Sequence, residues 1–438
     1  LVGPSPWKVR IQSQILKNSP DREQLKKTHQ QKKQSKVKSI HFTRAPQPAR
    51  VTRKFASLQD LKVACVLDNF SYSAFKFEAN FLQLDVIEYP TQLETFQPDI
   101  IFFESAWRGK DDLWGSKVGH ADNEVIEILK WARSNSVPSV FWNKEDPVHF
   151  KSFLNVAQLF DYVFTTDLDS IARYKKILSN ENVFLLPFAF QPKLHNPVEE
   201  FDRISKLCFA GAYYRKYVQR NKDLESIMEG VLEKMEVDIY DRNYLDDNPD
   251  YSFPESFSKH IIGTLNFEEI NLAYKGYEIG LNLNTIKDSP TMFARRVFEL
   301  IASNTHVFSN YSRGVDLFFG DIIFSSDSGQ DSVKRYLNYS NKQRKQIKLE
   351  GVRKVFSEHT YRHRFEYIVE KVSLQGPPLI SSSILVVSKI LNKEDGKRII
   401  LEFENQTMKD TELRLISDRE LNLQSIGDYR VSTVDDIE

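Results

Sequence analysis

The sequence has little cysteine and no long apolar run. Only two cysteines, Cys65 and Cys208, occur in 438 residues, and each lies in an apolar stretch that is typical of a strand. Buried free thiols are ordinary in strands, so a disulfide framework and a cysteine zinc site are excluded. No stretch reaches the roughly 18 consecutive apolar residues of a membrane span, and the first residues lack a secretory signal. We therefore expect a cytoplasmic protein.

The common phosphate-binding and metal-binding signatures are also missing. The sixteen glycines form neither G-x-G-x-x-G nor G-x-x-x-x-G-K-[ST]. The first absence argues against a dinucleotide-dependent oxidoreductase, and the second argues against a P-loop kinase or ATPase. H-E-x-x-H and Cys/His clusters do not occur either. We predict no metal site and no cofactor.

The charge is divided unequally between the start of the chain and the rest. Residues 1–54 contain fourteen Lys or Arg and two acidic residues, about +12, although the net charge of the chain is zero. The rest therefore carries about −12. Few large apolar residues occur in this part, so we predict a disordered or loosely helical basic tail over 1–58. Charge alone would let it contact an anionic membrane, at the inner face, or an anionic polymer, without specific nucleic-acid recognition. A solvated extension is an equally weighted alternative.

The rest of the chain alternates short apolar runs with helical patterns. Unbroken apolar strands separated by helices predict parallel sheets covered on both faces, an α/β architecture. We predict a Rossmann-like domain over 59–198, a second one over 199–373, and a short αβ segment over 374–438. Two such domains in tandem place a ligand cleft between the carboxyl ends of their sheets.

The most informative segment is NLNTIKDSPTMFARRVFELIASNTHVFSN, residues 282–310. Its pattern predicts a helix beginning near Thr291, after Ser289 and Pro290, whose amino end would favour an anion such as a diphosphate. Arg295 or Arg296, on the first turns, would add positive charge. Glu299 lies one turn after Arg295 and can accept hydrogen bonds from both hydroxyls of a ribose. An ordinary Arg295–Glu299 helix ion pair is the equally weighted alternative.

Seven motifs, in this order, resemble those of the CgeB-type spore-maturation family of glycosyltransferases. They are FESAWRG (103–109), FWNKEDPVHF (141–150), FDYVFTTD (160–167), LPFAFQPKLHNP (186–197), AGAYYRKY (210–217), IYDR (239–242) and SPTMFARRVFELIAS (289–303). The resemblance covers about residues 60–372. It implies the GT-B fold, in which two Rossmann-like domains face a cleft and the second holds a nucleotide sugar without requiring a metal.

The resemblance also implies roles for single residues. Glu299 would bind the ribose. Related retaining enzymes carry an acidic residue eight positions earlier, where this chain has Thr291. Further donor-binding residues are expected where the strands of the second domain end, and they are Gly211, Arg215, Asp241, Arg242, Asn282 and Asn284. A glycine allows close approach of the backbone to a phosphate, and an arginine neutralises it. Ordinary turn and loop roles are the alternative.

Carboxylates that follow strands of the first domain are the catalytic candidates. An inverting transfer needs a base for the acceptor hydroxyl. Asp68 is the first choice, because inverting GT-B enzymes often place the base after the first strand. Glu104, Glu145 and Asp146 are the other candidates. Each of them can instead cap the helix that follows.

The last segment resembles the opening of a GT-A glycosyltransferase domain. The similarity lies in SSILVVSKILNKEDGKRIILEFENQTMKDTELRLISD, residues 382–418. In that fold an acid near the second strand contacts uracil, and Asp418 stands near this place. The segment is too short for a full domain, so we do not expect a second active site.

These observations predict a glycosyltransferase with a nucleotide-diphosphate sugar donor, UDP-linked in the first instance. The predicted acceptor is a cell-surface polysaccharide, a teichoic-type polymer or a glycoprotein. A non-catalytic module that binds sugar nucleotides or polymers and a GT-B-fold nucleotide-sugar epimerase are the alternatives.

Overall fold

The computed structural model describes Phe55, residues 57–372 and, after them, 384–405, 411–417, 425–426 and 429–433. Apart from Phe55, Ser57 and Leu58, the predicted basic tail lies outside the described residues, and so does Asp418. By its internal contacts the chain divides into two compact units, Leu1–Gln375 and Gly376–Glu438. No helix within the described ranges has the length and apolar character needed to cross a membrane.

The first domain is built on a parallel sheet of six strands in the order β2-β1-β3-β4-β5-β6. The strands are β1 Lys62–Val66, β2 Asn80–Gln83, β3 Ile100–Glu104, β4 Ser139–Asn143, β5 Tyr162–Thr165 and β6 Val183–Leu185. The helices between them are α1 Asn69–Phe75, α2 Tyr89–Phe96, α3 Lys117–His120, α4 Asn123–Ser134, α5 Phe150–Ala157 and α6 Leu168–Leu178. Strands β3 and β4 are buried along their whole length, as their unbroken apolar sequences predict.

The second domain repeats this plan with the strand order β12-β11-β10-β7-β8-β9. Its strands are β7 Ile204–Gly211, β8 Val237–Asp241, β9 Ile261–Gly263, β10 Tyr277–Asn282, β11 His306–Ser309 and β12 Phe324–Ser325, all parallel. Its helices are α7 Val218–Leu232, α8 Ile270–Lys275, α9 Arg296–Ala302, α10 Arg313–Phe319, α11 Gly329–Asn338 and α12 Asn341–Glu358. The predicted α/β class, with two Rossmann-like domains in the GT-B arrangement, is confirmed.

Helix α13, Tyr361–Lys371, departs from the predicted division of the chain. Its sequence position places it with the second domain, but Tyr361, Phe365 and Ile368 belong to the apolar core that Val63 and Phe102 form in the first domain. The buried guanidinium of its Arg364 donates to the backbone carbonyls of the 187–188 segment at 2.9 Å. After the second domain, α13 therefore packs against the first domain.

The predicted helix beginning near Thr291 is wrong in its start, because α9 begins at Arg296. The preceding residues are held in a non-helical path by specific hydrogen bonds. Ser289 Oγ donates to Asp167 Oδ1 at 2.6 Å, and Thr291 Oγ1 donates to the carbonyl of Thr166 at 2.7 Å. These bonds join the two domains, and they compete with helix formation at this point.

The unit Gly376–Glu438 contains a sheet of its own with the order β13-β14-β16-β15. Its strands are β13 Ile384–Lys389, β14 Thr411–Ser417, β15 Ser425–Ile426 and β16 Tyr429–Thr433, and its helix is α14 Lys393–Glu404. Ile390, Leu415 and Ile426 belong to its small apolar core. Its resemblance to the opening of a GT-A domain stays a prediction.

Candidate functional site

A cavity of about 590 Å³ lies at the carboxyl ends of the second sheet, facing the first domain. Gly211 ends β7 and lines it, and Arg242, directly after β8, lines it as well. Phe70 of α1 and Phe188 contribute from the first domain. The cavity therefore occupies the place at which Rossmann-like domains bind ligands.

The charged groups of the lining are predominantly positive. Four arginines take part, namely Arg220, Arg242, Arg295 and Arg296, together with one carboxylate, Glu299, and one imidazole, His195. Aromatic side chains form much of the remaining wall, and they are Phe70, Phe188, Tyr214, Tyr240, Phe267 and Tyr274. Such a lining suits a ligand that has both an anionic group, which the arginines bind, and a flat, partly apolar group, which packs against the aromatic rings.

Glu299 is buried and is the acidic centre of the cavity. Its Oε1 accepts a hydrogen bond from Arg295 Nη1 at 2.8 Å, and its Oε2 accepts one from the hydroxyl of Tyr274 at 3.0 Å. His195 Nε2 lies 3.6 Å from Oε1. Burial alone would raise the pKa of Glu299, but the charge of Arg295 holds it below its ordinary value. The carboxylate is therefore ionised and held in place by three neighbours.

His195 is a neutral neighbour of this carboxylate. Burial lowers the pKa of its imidazole, although Glu299 opposes the effect. The ring stands 5.6 Å from that of Tyr274, measured between centroids. A neutral imidazole leaves the arginines as the cations of the cavity.

Arg295 forms an ion pair with Glu299. The other three arginines, Arg220, Arg242 and Arg296, have no carboxylate partner within the described part of the chain. The Nη1 atom of Arg220 and the Nε atom of Arg296 are buried without a hydrogen-bond partner among the described residues. Burial, followed by the charges of Arg296 and Arg242, lowers the pKa of Arg220 to about 10. Arg220 also lies in the first turn of α7, where the helix dipole disfavours a cation. The positive charges of Arg220, Arg242 and Arg296 repel one another, and an anion that binds between them reduces this repulsion.

Gly211 lets the backbone itself form part of the wall. A Cβ atom at this position would lie 2.5 Å from the ring of Phe209. The close approach explains why β7 ends in a glycine where the sequence predicts a phosphate-binding turn. Of the predicted donor-binding residues, the structure therefore brings Gly211, Arg242, Arg295, Arg296 and Glu299 together.

The other predicted donor-binding residues do not line the cavity. Arg215 is exposed, and Asp241 is buried and accepts from the backbone N–H of Asn243 at 3.0 Å. Asn282 donates to Ser309 Oγ at 3.0 Å, and Asn284 Oδ1 accepts from the N–H of Ala294 at 2.9 Å. Ser289, Pro290 and Thr291 are buried in the interdomain contact described above. Their contacts position the segment that leads to Arg295.

Two of the predicted catalytic carboxylates, Asp68 and Glu104, form a buried ion cluster with Lys144, here named the Asp68 cluster. Lys144 Nζ lies 2.6 Å from Asp68 Oδ2 and 2.8 Å from Glu104 Oε1. Asp68 Oδ1 accepts from the N–H of Gly109 at 2.8 Å. Burial would raise the pKa of Asp68, but Lys144 lowers it below the ordinary value. A carboxylate held in this way is a weak base.

Glu145 and Asp146, the remaining catalytic candidates, also lie outside the cavity lining. Asp146 is fully buried and accepts from Thr165 Oγ1 at 2.6 Å and from Asn143 Nδ2 at 2.9 Å. Burial raises the pKa of Asp146 to about 7. Glu145 is half-buried. The structure brings neither residue to the ligand cavity.

Several residues of the cavity were not predicted from the sequence, namely Phe70, His195, Arg220 and Tyr274. His195 lies within LPFAFQPKLHNP, a motif noted above for its resemblance alone. Arg220 lies in the first turn of α7, so the signal was a third basic residue after β7, following Arg215 and Lys216. Phe70 and Tyr274 carry no distinguishing pattern.

Residues 224–370 match the model of a family described as glycosyl transferase-like. The match spans about a third of the chain and includes Tyr274, Arg295, Arg296 and Glu299. This part of the chain is therefore glycosyltransferase-like. No curated protein matches the sequence.

Solved structures of low sequence identity align with most of the chain. Sucrose-phosphate synthase from Thermosynechococcus elongatus is 9% identical, with a TM-score of 0.48, and the alignment covers 71% of this chain and 98% of that one. HepE from Anabaena, in complex with UDP-glucose, is 10% identical, with a TM-score of 0.47 and coverages of 72% and 100%. A glycosyltransferase from Rickettsia africae is 10% identical, with a TM-score of 0.45 and coverages of 71% and 89%.

Proposed function

We propose that this protein is a glycosyltransferase of the CgeB type that transfers a sugar from a nucleotide-diphosphate donor. The observation that carries the proposal is the group of four arginines around one buried glutamate in the cavity between the two domains. The match of residues 224–370 to a glycosyl transferase-like family supports it, because this range holds the glutamate and three of the four arginines.

In this proposal Arg220, Arg242 and Arg296 bind the diphosphate. Glycosyl transfer breaks the bond between the sugar's anomeric carbon and a phosphate oxygen, so negative charge develops on the leaving diphosphate. Guanidinium groups that are already fixed around it stabilise this charge, and no metal is required for that role. The positive charges of Arg220, Arg242 and Arg296, which have no acidic partner among the described residues, are the feature that favours this assignment.

Glu299 binds the ribose in the same proposal. Its two carboxylate oxygens are held by Arg295 and by Tyr274. Each carboxylate oxygen has two acceptor positions, so hydroxyl groups of a ribose can still donate to them. The ion pair and the ribose contact, which the sequence left as alternatives, are therefore compatible.

The acceptor in this proposal is a cell-surface polysaccharide, a teichoic-type polymer or a glycoprotein, and the donor nucleotide is UDP. Asp68 is assigned a positioning role because its carboxylate is bound to Lys144 and to the backbone at Gly109. A peripheral contact of the basic tail with an anionic membrane or polymer remains part of the proposal and rests on its charge alone.

A panel of nucleotide sugars tests the function. We expect release of nucleoside diphosphate from one of them to be stimulated by acceptor, and Arg220→Gln to abolish most of it. Arg215→Gln is the matched control, since Arg215 lies on the same connection after β7 but is exposed and outside the cavity. Release without any acceptor would favour the epimerase, and tight binding without release would favour the binding module.

A further inference from the structure

The ring of Phe70 contacts a cation from each domain. Lys144 Nζ lies over this ring at 4.1 Å from its centroid, and Arg295 Cζ lies over it at 4.3 Å. Phe70 is the second residue of α1 and half-buried, and it lines the cavity. One side chain thus connects the interior of the first domain with the arginine that holds Glu299.

On the side of the first domain the ring rests against a rigid group. Lys144 is fully buried and its ammonium is bound by both carboxylates of the Asp68 cluster. Burial would lower the pKa of Lys144, but Glu104 and Asp68 raise it above the ordinary value, so the ammonium stays charged. A cation in a dry environment attracts the face of an aromatic ring strongly.

On the side of the second domain the ring contacts a group with more freedom. The side chain of Arg295 is 28% exposed, and its ion pair with Glu299 occupies Nη1. Arginine prefers to stack on an aromatic face, where its flat guanidinium fits. The contact with Phe70 therefore restricts the orientations that Arg295 adopts beside Glu299.

We propose that Phe70 is a positioning residue of the nucleotide cavity, which orients the guanidinium of Arg295 and couples nucleotide affinity to the Asp68 cluster of the first domain. The proposal rests on the proposed function in one respect, since it takes the ligand to be a nucleotide. It extends that function by giving the first domain a part in donor binding.

Calorimetry with UDP tests the role of the ring. Phe70→Leu keeps an apolar side chain but removes the π face, and we expect about three- to tenfold weaker binding. Phe70→Tyr keeps the face and should retain most of the affinity. If Phe70→Leu fails to fold, as judged by circular dichroism, Phe70→Met replaces it. Equal affinity in the wild type and the variant without a ring would overturn the proposal.

A double-mutant cycle with Arg295→Gln tests whether the ring acts through Arg295. Once the guanidinium is absent, loss of the ring should weaken UDP binding no further. Losses that simply add would mean that Phe70 contacts the nucleotide independently, which would contradict the positioning role.

A measurement without nucleotide separates this inference from the proposed function. The modification of Arg295 by phenylglyoxal, followed by peptide mass spectrometry, should become several times faster in Phe70→Leu, whereas that of Arg296 should not change. If UDP does not bind to the wild type but the modification of Arg295 is still faster in Phe70→Leu, the proposed function is wrong and the positioning of Arg295 by Phe70 is supported. If the modification rate of Arg295 is unchanged, the positioning role is wrong.

Discussion

Lys144 and Asp68 form an ion pair of 2.6 Å at the carboxyl end of the first sheet, and the lysine is fully buried. Glu104 is the second partner of Lys144. Removing one member of such a cluster leaves the others buried with fewer partners, which costs stability. We therefore expect Asp68 to contribute mainly to stability.

Asp68→Asn should lower the free energy of unfolding by about 1–3 kcal/mol and turnover by less than about tenfold. The reason is that asparagine keeps the size of the side chain but loses the charge that Lys144 requires. Urea unfolding and steady-state kinetics on the same preparation measure both effects. A loss of about two orders of magnitude or more in turnover, with unchanged stability, would identify Asp68 as the base.

Glu299→Ala should weaken UDP binding by about 1–3 kcal/mol, as expected when hydrogen bonds to a charged group are lost. Glu229→Ala is a suitable control, because Glu229 lies on α7 and is exposed. Isothermal calorimetry gives both affinities. Unchanged affinity in a folded Glu299→Ala protein would remove this residue from the ribose site.

Arg220→Gln should weaken UDP binding without lowering the stability of the apoprotein. UDP affinity should fall by about 1.5–3 kcal/mol, because a hydrogen bond between charged groups is lost. The free energy of unfolding without ligand should not fall, because Arg296 and Arg242 lose a repelling neighbour. Unfolding in urea, with and without UDP, separates the two quantities. A less stable apoprotein with unaltered UDP affinity would mean that Arg220 is structural.

Asp146 should make stability depend on pH between about 4 and about 7. Burial raises the pKa of Asp146 to about 7 in the folded state, from an ordinary value of 3.8. In that window the folded state binds more protons than the unfolded state, so the free energy of unfolding should fall as pH rises, by up to roughly 4 kcal/mol.

Urea unfolding at several pH values checks this dependence. Asp146→Asn should remove the corresponding slope, and Glu145→Gln, at the neighbouring half-buried position, should retain it. A slope that persists unchanged in Asp146→Asn would assign the pH dependence to another group.

The sequence was sufficient for the architecture because apolar strands leave a strong pattern. The unbroken runs around Phe102 and Val140 predicted central strands, and both are fully buried. The edge strand Asn80–Gln83 was not predicted, since four residues with alternating burial give too weak a signal. Helix α13 was placed with the wrong domain. Its apolar face indicates that the helix packs against a core, but the sequence does not indicate which of the two cores this is.

The site was predicted in part for a related reason. Arg295, Arg296 and Glu299 were identified from their spacing on one segment, and all three line the cavity. Contacts between distant segments leave no local pattern, so the pairing of Lys144 with Asp68 and the bond from Ser289 to Asp167 could not be foreseen. The catalytic role of the strand-end carboxylates stays a prediction, because an ion pair with Lys144 does not by itself exclude it.

The central claim is that the cavity between the two Rossmann-like domains binds the diphosphate and ribose of a nucleotide-sugar donor. A crystal structure of the full chain soaked with UDP tests it most directly. The account predicts the diphosphate among Arg220, Arg242 and Arg296, with the ribose hydroxyls donating to Glu299. UDP bound elsewhere, or a cavity that stays empty at saturating UDP, would contradict it.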